Sequence, residues 1–550
     1  MKTKLELVPQ PEKLNFSGKW LKFGGITNMP GFISREFGIK RAGYKSSNCF
    51  TLIKQPGSGG INRIGVKAGR ISVQGDVYSG YAALVQLLKQ KPGYIPEVSV
   101  TEKFRFPFRA YHLDMPRGGV PHPGYFRKLL RLLFMFKYNY FALYFEDLFP
   151  WKDYPRIGAH RGRLSRPELN EVIRYGRKLG IEVFPSLELT GHMSRFFEFP
   201  ELKKYVEWDT ACKGDTLNVS DPSAVKFACG LLEDACEFFR EARYIHIGGD
   251  EPWTLGRGKS LDKTGRFKGP ELYGLHHEKL LKIVRKHGKE PMMWNDMFYG
   301  KHLPAKAKPA WLKLLKNKIW KEPVMANWDY TPGDKSYFYK LIKPFEGSRQ
   351  LLCPGFSNWR TFYPNFEKAI ANLKGFLAGA EKFGLDRKIM GFMTTSWGDD
   401  GAECLYSHVE PLLLATMEIA EGNGRWKEKW LKLSGESRKV LEARIDFGRP
   451  GAGYSIKKVL FENMKLDGRT EKLWKSILAR YRNVNLPAEL RLVYDLMDLG
   501  YKRQAGRETS AQISAVCRKY IEMWLKERKK ANLDVVVDRF SSMQSRHFLK

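Results

Sequence analysis

Eight apolar runs recur between residues 108 and 400. They are FRAYHLDM (108–115), NYFALYFED (139–147), IEVFPSLEL (181–189) and YIHIGGDE (244–251), then EPMMWND (290–296), PVMANWDY (323–330), LLCPGFSNW (351–359) and IMGFMTTSWGDD (389–400). Runs that are apolar without alternation read as strands buried on both faces. Most are separated by stretches whose apolar positions fall at helical spacing, such as YFRKLLRLLFMFKY (125–138) and ELNEVIRYGRKLG (168–180). Eight strand–helix units in roughly 320 residues predict a (β/α)8 barrel. We place that barrel at residues 103–432. Residues 1–102 have another pattern: short strands with Gly-rich turns, as in GSGGINRIGV and GRISVQGDV, and one helix, SGYAALVQLLKQ, ended by KPG. They predict a small α/β domain. Residues 433–550 read as a basic helical packing region without chemistry of its own, as in SAQISAVCRKYIEMWLKERKK. There is no low-complexity linker and no internal repeat.

The polar punctuation of the barrel is more telling than its strand count. Asp114, Glu146, Asp147, Glu188, His192, Asp250, Glu251, Trp294, Asp296, Trp328, Trp397 and Asp399 all fall at or just past the C-terminal ends of predicted strands. Each alone has an ordinary explanation, since strand-end Asp often caps the next helix and Trp is often core. In a barrel, however, those ends meet at one mouth, where active sites sit.

Composition narrows the class. The chain has 550 residues, 43% hydrophobic and 13% aromatic, which is globular content. With 94 Lys and Arg against 59 Asp and Glu, the net charge is +35. Nucleic acid, a membrane surface or an acidic glycan would each suit that charge. No nucleic-acid-binding motif accompanies it, so a solvated basic surface is the favoured reading. Seven cysteines (49, 212, 229, 236, 353, 404, 517) show no CxxC pairing and no zinc-ligand spacing. They read as reduced, mostly packed thiols. The start, MKTKLELVPQPEK, has no apolar h-region, and no 18-residue uncharged apolar stretch occurs. A cytoplasmic protein without a membrane span is the expectation.

The most unusual local feature is YIHIGGDEPW (244–253), with adjacent carboxylates after two glycines. A metal site built on His246 and Asp250 would need partners such as His192 or Asp147, and no compact set such as HExxH anchors it. An acid-rich, Trp-rich mouth suits a sugar better. Neighbouring carboxylates leave a strand end at diverging angles, so Asp250 and Glu251 make a poor acid–nucleophile pair. They suit a division in which Glu251 protonates the glycosidic oxygen while Asp250 orients a group on the substrate. If that group is a 2-acetamido carbonyl, the substrate supplies its own nucleophile.

HIGGDE resembles the H-x-G-G-D-E motif of glycoside hydrolase family 20, the β-N-acetylhexosaminidases. RAYHLDMPR (109–117) is similar to that family's first-strand segment, with Ala110 in place of a Gly. LELTGH (187–192), WND (294–296) and WGDD (397–400) are similar to later strand ends. YFEDLFPW (144–151), TGHMSRF (190–196), GFSNW (355–359) and TSWGDDG (395–401) look most like the hexosaminidase D branch. The resemblance runs from about residue 60 to 420. It implies an exo-acting, retaining enzyme that removes terminal β-linked GlcNAc or GalNAc from a glycan or glycoconjugate, with no metal and no cofactor. It implies Glu251 as general acid/base, and Asp250 as the residue that holds the acetamido N–H and stabilises an oxazolinium-like intermediate. Arg109 would fork the 3- and 4-hydroxyls, and His192, supported by Asp147, would tune Glu251. Trp294, Trp328 and Trp397 would wall the acetamido pocket, with Asp296 and Asp399 on hydroxyls and His246 in a buried supporting role. The chain departs from the family where the seventh strand lacks a Tyr, a place that Tyr330 could fill, and where Glu188 stands for Asp. Two other readings stay open. One is a catalytically silent glycan-binding protein on the same barrel, disfavoured by retention of both Asp250 and Glu251. The other is a nucleic-acid-associated protein resting on charge alone.

Overall fold

The computed structural model describes residues 4–43, 47–210, 214–299 and 305–548. Strands β1 (Lys13–Lys22), β2 (Gly25–Thr27), β3 (Cys49–Gln55), β4 (Ile61–Lys67), β5 (Arg70–Gln74) and β6 (Tyr94–Lys103) form one mixed sheet in the order β1-β6-β4-β5-β3-β2. The helix Val77–Leu88, N-capped by Asp76, covers it. This helix also ties the sheet to the first crossover helix of the barrel, Pro123–Met135, because buried Gln86 donates to the carbonyls of Val8 (2.9 Å) and Met135 (2.6 Å).

Eight parallel strands close the barrel. They are β7 (Phe108–Asp114), β8 (Tyr140–Phe145), β9 (Glu182–Leu187), β10 (Tyr244–His246), β11 (Glu290–Trp294), β12 (Val324–Trp328), β13 (Gln350–Cys353) and β14 (Ile389–Ser396). Closure pairs β14 with β7, from Gly391 opposite Phe108 to Ser396 opposite Leu113. Every residue of β7 is buried, as a strand lined by side chains inside and helices outside requires. The crossover helices start where the chain supplies caps: His122 caps Pro123–Met135, and Ser165 with Glu168 forms a capping box for Arg166–Lys178.

The N-terminal end of the barrel is plugged by aromatic rings. Phe108 stacks on Tyr140 with centroids 4.0 Å apart, and Tyr244 meets Phe108 edge-on at 5.4 Å. Of the two ends of the barrel, the C-terminal mouth is the one that holds a pocket lined by the strand ends.

The predicted strands overrun the ladders at this mouth. β10 ends at His246 instead of Glu251, and β13 at Cys353 instead of Trp359. The residues beyond are largely buried and keep only a few backbone hydrogen bonds to the neighbouring strands, such as Ile247 N to Met292 O and Phe356 N to Thr395 O, so an apolar run in sequence continues after regular strand geometry has stopped. Past the barrel, helices from Trp426 to Phe548 pack together and against the loops at the mouth. The six cysteines among the described residues are free, and Cys212 lies outside those residues. Among the described residues no helix is long and apolar enough to cross a membrane.

Candidate active site

The turn after β10 is built around unusual backbone. Gly248 (φ 66°) and Gly249 (φ 96°) are left-handed, and a Cβ on Gly248 would collide with the Glu188 carboxylate and the Leu187 carbonyl. Glycine is therefore required for this turn to close over β9. Glu251 (φ 50°) and His192 (φ 52°) are left-handed as well, although neither is glycine. Such residues each cost about 1 kcal/mol or more and persist where the surroundings over-determine them. For Glu251 those surroundings include Asp296, whose Oδ2 accepts the Glu251 amide at 3.1 Å. The turn delivers Asp250 and Glu251 side by side into one pocket.

Charge is arranged sharply there. His192 Nε2 lies 3.2 Å from Asp250 Oδ2 and 3.7 Å from Glu251 Oε2. Burial works against charging His192, but the Asp250 carboxylate overrides it and lifts the ring to about 10. Asp250 is held below its ordinary value: burial opposes this, and the imidazolium prevails. Glu188 packs beneath Asp250, and neither of its oxygens meets another donor among the described residues. Burial first and the Asp250 charge second raise Glu188 well above its ordinary value. Burial also pushes Glu251 above its ordinary value; the His192 charge opposes this, while Asp250 and Asp399 reinforce it. The result is one carboxylate locked as an anion beside another inclined to carry a proton, which is how one site keeps two acids in different roles.

Around them is a pocket of about 320 Å³. Trp294, Trp328, Tyr330 and Trp397 form its aromatic wall, with Arg117 and Asp399 among its polar groups and Trp359 and Arg360 also in its lining. Trp328 Nε1 donates to Asp296 Oδ1 at 3.2 Å, and Trp397 Nε1 to the Tyr330 hydroxyl at 2.6 Å. Tyr330 also accepts from Thr395 Oγ1 at 2.9 Å, so this residue of the loop after β12 reaches across to β14. Beneath the wall, neutral His246 faces the Trp294 ring at 4.3 Å, with burial depressing its pKa to about 3. An apolar wall with a few convergent charges is the usual form of a small-ligand site. Among the described residues no group of three or more His, Cys, Asp or Glu side chains is placed to hold a metal ion.

Three expected placements are corrected. Arg109 is the second residue of β7, at the plugged end of the barrel. Its guanidinium donates to the carbonyls of Lys137 (2.9 Å) and Phe106 (2.8 Å) and covers the Phe104 ring, so it cannot reach a ligand at the mouth. Arg117, three residues past the end of the strand, lines the pocket instead, paired with Glu146 (3.1 Å) and Asp114 (3.5 Å). The missed signal lay in the same segment: the arginine beyond Asp114 is the one that faces the mouth. Asp147 pairs with Arg161 at 2.5 Å, and besides Asp250 and Glu251 the acids within charge range of His192 include Glu146 and Asp215. Asp296 is buried behind the wall, where it holds Glu251 and Trp328 and does not line the pocket. Asp250, Glu251, His192, Trp294, Trp328, Trp397 and Asp399 do come together.

A model of the catalytic domain of glycosyl hydrolase family 20 matches residues 106–404, the barrel and its mouth. The chain belongs to glycosyl hydrolase family 20. Among curated relatives, a beta-hexosaminidase of Akkermansia muciniphila is 25% identical over 272 residues, covering 43% of this chain and 55% of that protein. Hexosaminidase D of Bos taurus is 26% identical over 195 residues, covering 34% and 55%. The chain thus spans about half the length of the curated relatives it matches. A solved family 20 exo-β-N-acetylglucosaminidase of Vibrio harveyi, in complex with N-acetylglucosamine, superposes with a TM-score of 0.60 at 17% identity, over 81% of this chain and 78% of that one. The chitobiase of Flavobacterium johnsoniae gives 0.62 at 17% identity over 100% of both chains. These structures share the fold.

Proposed function

We propose that this chain is an exo-acting, retaining β-N-acetylhexosaminidase that uses the 2-acetamido group of its substrate as nucleophile. The observation that carries the proposal is the adjacent pair, Asp250 held anionic against His192 and Glu251 pushed toward its protonated form. The names of the relatives support its hexosaminidase part.

In the first step the acetamido oxygen attacks the anomeric carbon. The glycosidic bond breaks as Glu251 passes its proton to the departing oxygen. Asp250 accepts the acetamido N–H and faces the positive charge of the oxazolinium ion. In the second step Glu251, now a carboxylate, takes a proton from water as the water oxygen bonds to the anomeric carbon and that carbon's bond to the acetamido oxygen breaks, which restores the acetamide and the β configuration. The Trp294, Trp328 and Trp397 wall confines the acetamide, and Arg117 supplies a charged fork for ring hydroxyls, with Asp399 accepting from them. His192 holds its charge beside both acids throughout.

The test uses aryl β-GlcNAc, β-GalNAc and β-glucoside with wild type and Glu251→Gln. Turnover of the N-acetyl sugars alone, its loss in the variant, and inhibition by a thiazoline are expected. Equal turnover of the glucoside removes substrate assistance. Sugar binding without turnover leaves a silent glycan-binding protein. The free thiols support a reducing, cytoplasmic setting, which cell fractionation checks.

A further inference from the structure

The turn after β14 presents Trp397 and Asp399 to the pocket, then bends through three left-handed residues, Asp400 (φ 65°), Gly401 (φ 114°) and Ala402 (φ 54°). Two of these are not glycine, so the turn needs outside support to keep its shape. Its front is anchored within the barrel, where Asp114 Oδ2 accepts the Gly398 amide at 2.8 Å. Its back is held by the C-terminal helical region. Asp400 O accepts from Lys457 Nζ (2.7 Å) and Arg539 Nη1 (3.0 Å), Ala402 O from Arg528 Nη1 (2.5 Å), and Glu403 O from the Tyr520 hydroxyl (2.9 Å). The Cys404 carbonyl takes the other Arg528 nitrogen. Four carbonyls of one short segment are thus met by side chains lying more than fifty residues further along the chain.

Lys457 is the centre of this arrangement. It is 1% exposed, and it reaches Asp400 Oδ2 at 2.6 Å and Glu403 Oε1 at 2.7 Å as well as the Asp400 carbonyl. Arg539 binds the same two acids from the more exposed side. Two cations against two acids leave the cluster balanced. A buried lysine on three oxygens gives little rotational freedom to the residue next to Asp399. Family membership covers residues 106–404, so this support comes from a part of the chain outside the matched catalytic domain.

We propose that Lys457 is a positioning residue: it fixes the Asp400–Glu403 turn so that Trp397 and Asp399 stand in register with Asp250 and Glu251. The inference rests on the hexosaminidase reading. It makes the C-terminal region part of the working site, in addition to its role as packing.

The experiment measures kcat and KM on aryl β-GlcNAc for wild type, Lys457→Met, Lys457→Arg, Asp399→Asn and the Lys457→Met/Asp399→Asn double variant, each with its melting curve. A misplacement of the order of 1 Å costs up to about 100-fold. Lys457→Met is therefore expected to lose about 10- to 100-fold in kcat/KM, and Lys457→Arg to recover most of it. The double variant should fall by clearly less than the product of the two single losses, because the lysine acts in part through that residue. Arg539→Gln changes the outer cation and keeps the test open if the buried variant does not fold; a loss of about 3- to 10-fold is expected. Additive losses in the double variant, or a Lys457→Met enzyme matching wild type, overturn the inference while the hexosaminidase reading stands. Arg539→Gln at wild-type kcat/KM overturns it when Lys457→Met is unfolded. A wild type silent on all N-acetyl sugars overturns both.

Discussion

Replacing Asp250 with asparagine keeps the shape of the site and removes one charge. In the wild type that charge holds His192 at about 10 against a burial effect that would lower it from 6.5. A rise from 6.5 to about 10 corresponds to about 5 kcal/mol of preference for the charged ring, as an order of magnitude. In the variant burial wins, and the imidazole becomes neutral at neutral pH. The substrate also loses an anionic acceptor for its acetamido N–H and a countercharge for the oxazolinium ion. Preorganised contacts of this kind contribute about 3–4 kcal/mol to the transition state. The expected result is a fall in kcat of about 10²- to 10³-fold on aryl β-GlcNAc, with KM changing by less than about tenfold. A second readout is stability against pH. The folded pKa of His192 lies above its unfolded value, so its stabilisation is complete below pH 6.5 and is lost as pH rises toward about 10. The melting-temperature difference between wild type and Asp250→Asn should shrink across that window. A variant with kcat within about threefold of wild type, or a difference flat from pH 6.5 to 10, refutes the reasoning.

Further expectations concern the neighbours. Arg117→Met should cost about 10²-fold in kcat/KM through lost charge-assisted hydrogen bonds, whereas Arg109→Met should lower the melting temperature and leave KM unchanged; the reverse pattern would restore Arg109 to the site. His192→Phe removes the charge that holds Glu251 down, so the alkaline limb of kcat/KM, which reports protonated Glu251, should move to higher pH; a limb displaced downward would argue against Glu251 as the acid. Asp399→Asn should lower kcat/KM by about 10- to 100-fold and leave the glucoside unhydrolysed. Abolished turnover together with a trapped glycosyl–Asp399 adduct in the wild type would make that residue a nucleophile.

Much of this was legible in the sequence for a physical reason. Buried parallel strands write long apolar runs, and a barrel gathers their C-terminal ends, so Trp294, Trp397, Asp250 and Glu251 announced a common mouth. What stayed hidden depends on where strands stop. FRAYHLDMPR contains two arginines, Arg109 and Arg117, and only the observed end of β7 at Asp114 shows that the first is at the plug and the second at the mouth. Similarly, the run YIHIGGDE reads as one strand to Glu251, but β10 ends at His246 and left-handed Gly248 and Gly249 turn the chain before Asp250. The family resemblance implied Asp147 as the support of His192, but Arg161, from the loop between β8 and β9, pairs with it instead. The contribution of Lys457 and Arg528 was invisible for another reason: on a short helix and just past the end of another, in a basic region, their cations look like any solvated charge until a neighbouring loop is placed over them.

Glu251 and His192 occupy left-handed backbone that contacts within the fold, such as the Glu251 amide on Asp296, hold in place. The free energy of holding them there, about 1–3 kcal/mol each, is supplied when the chain folds. A sugar arriving at this mouth therefore meets groups that need not be rearranged, and its affinity is not reduced by an ordering cost at those two residues. In calorimetric terms, binding of a reaction-intermediate mimic should carry little of the entropy loss and heat-capacity change that accompany loop ordering. The enzyme would discriminate by rigidity: ligands that match the frozen geometry bind tightly, and those that demand adjustment find little compliance to draw on.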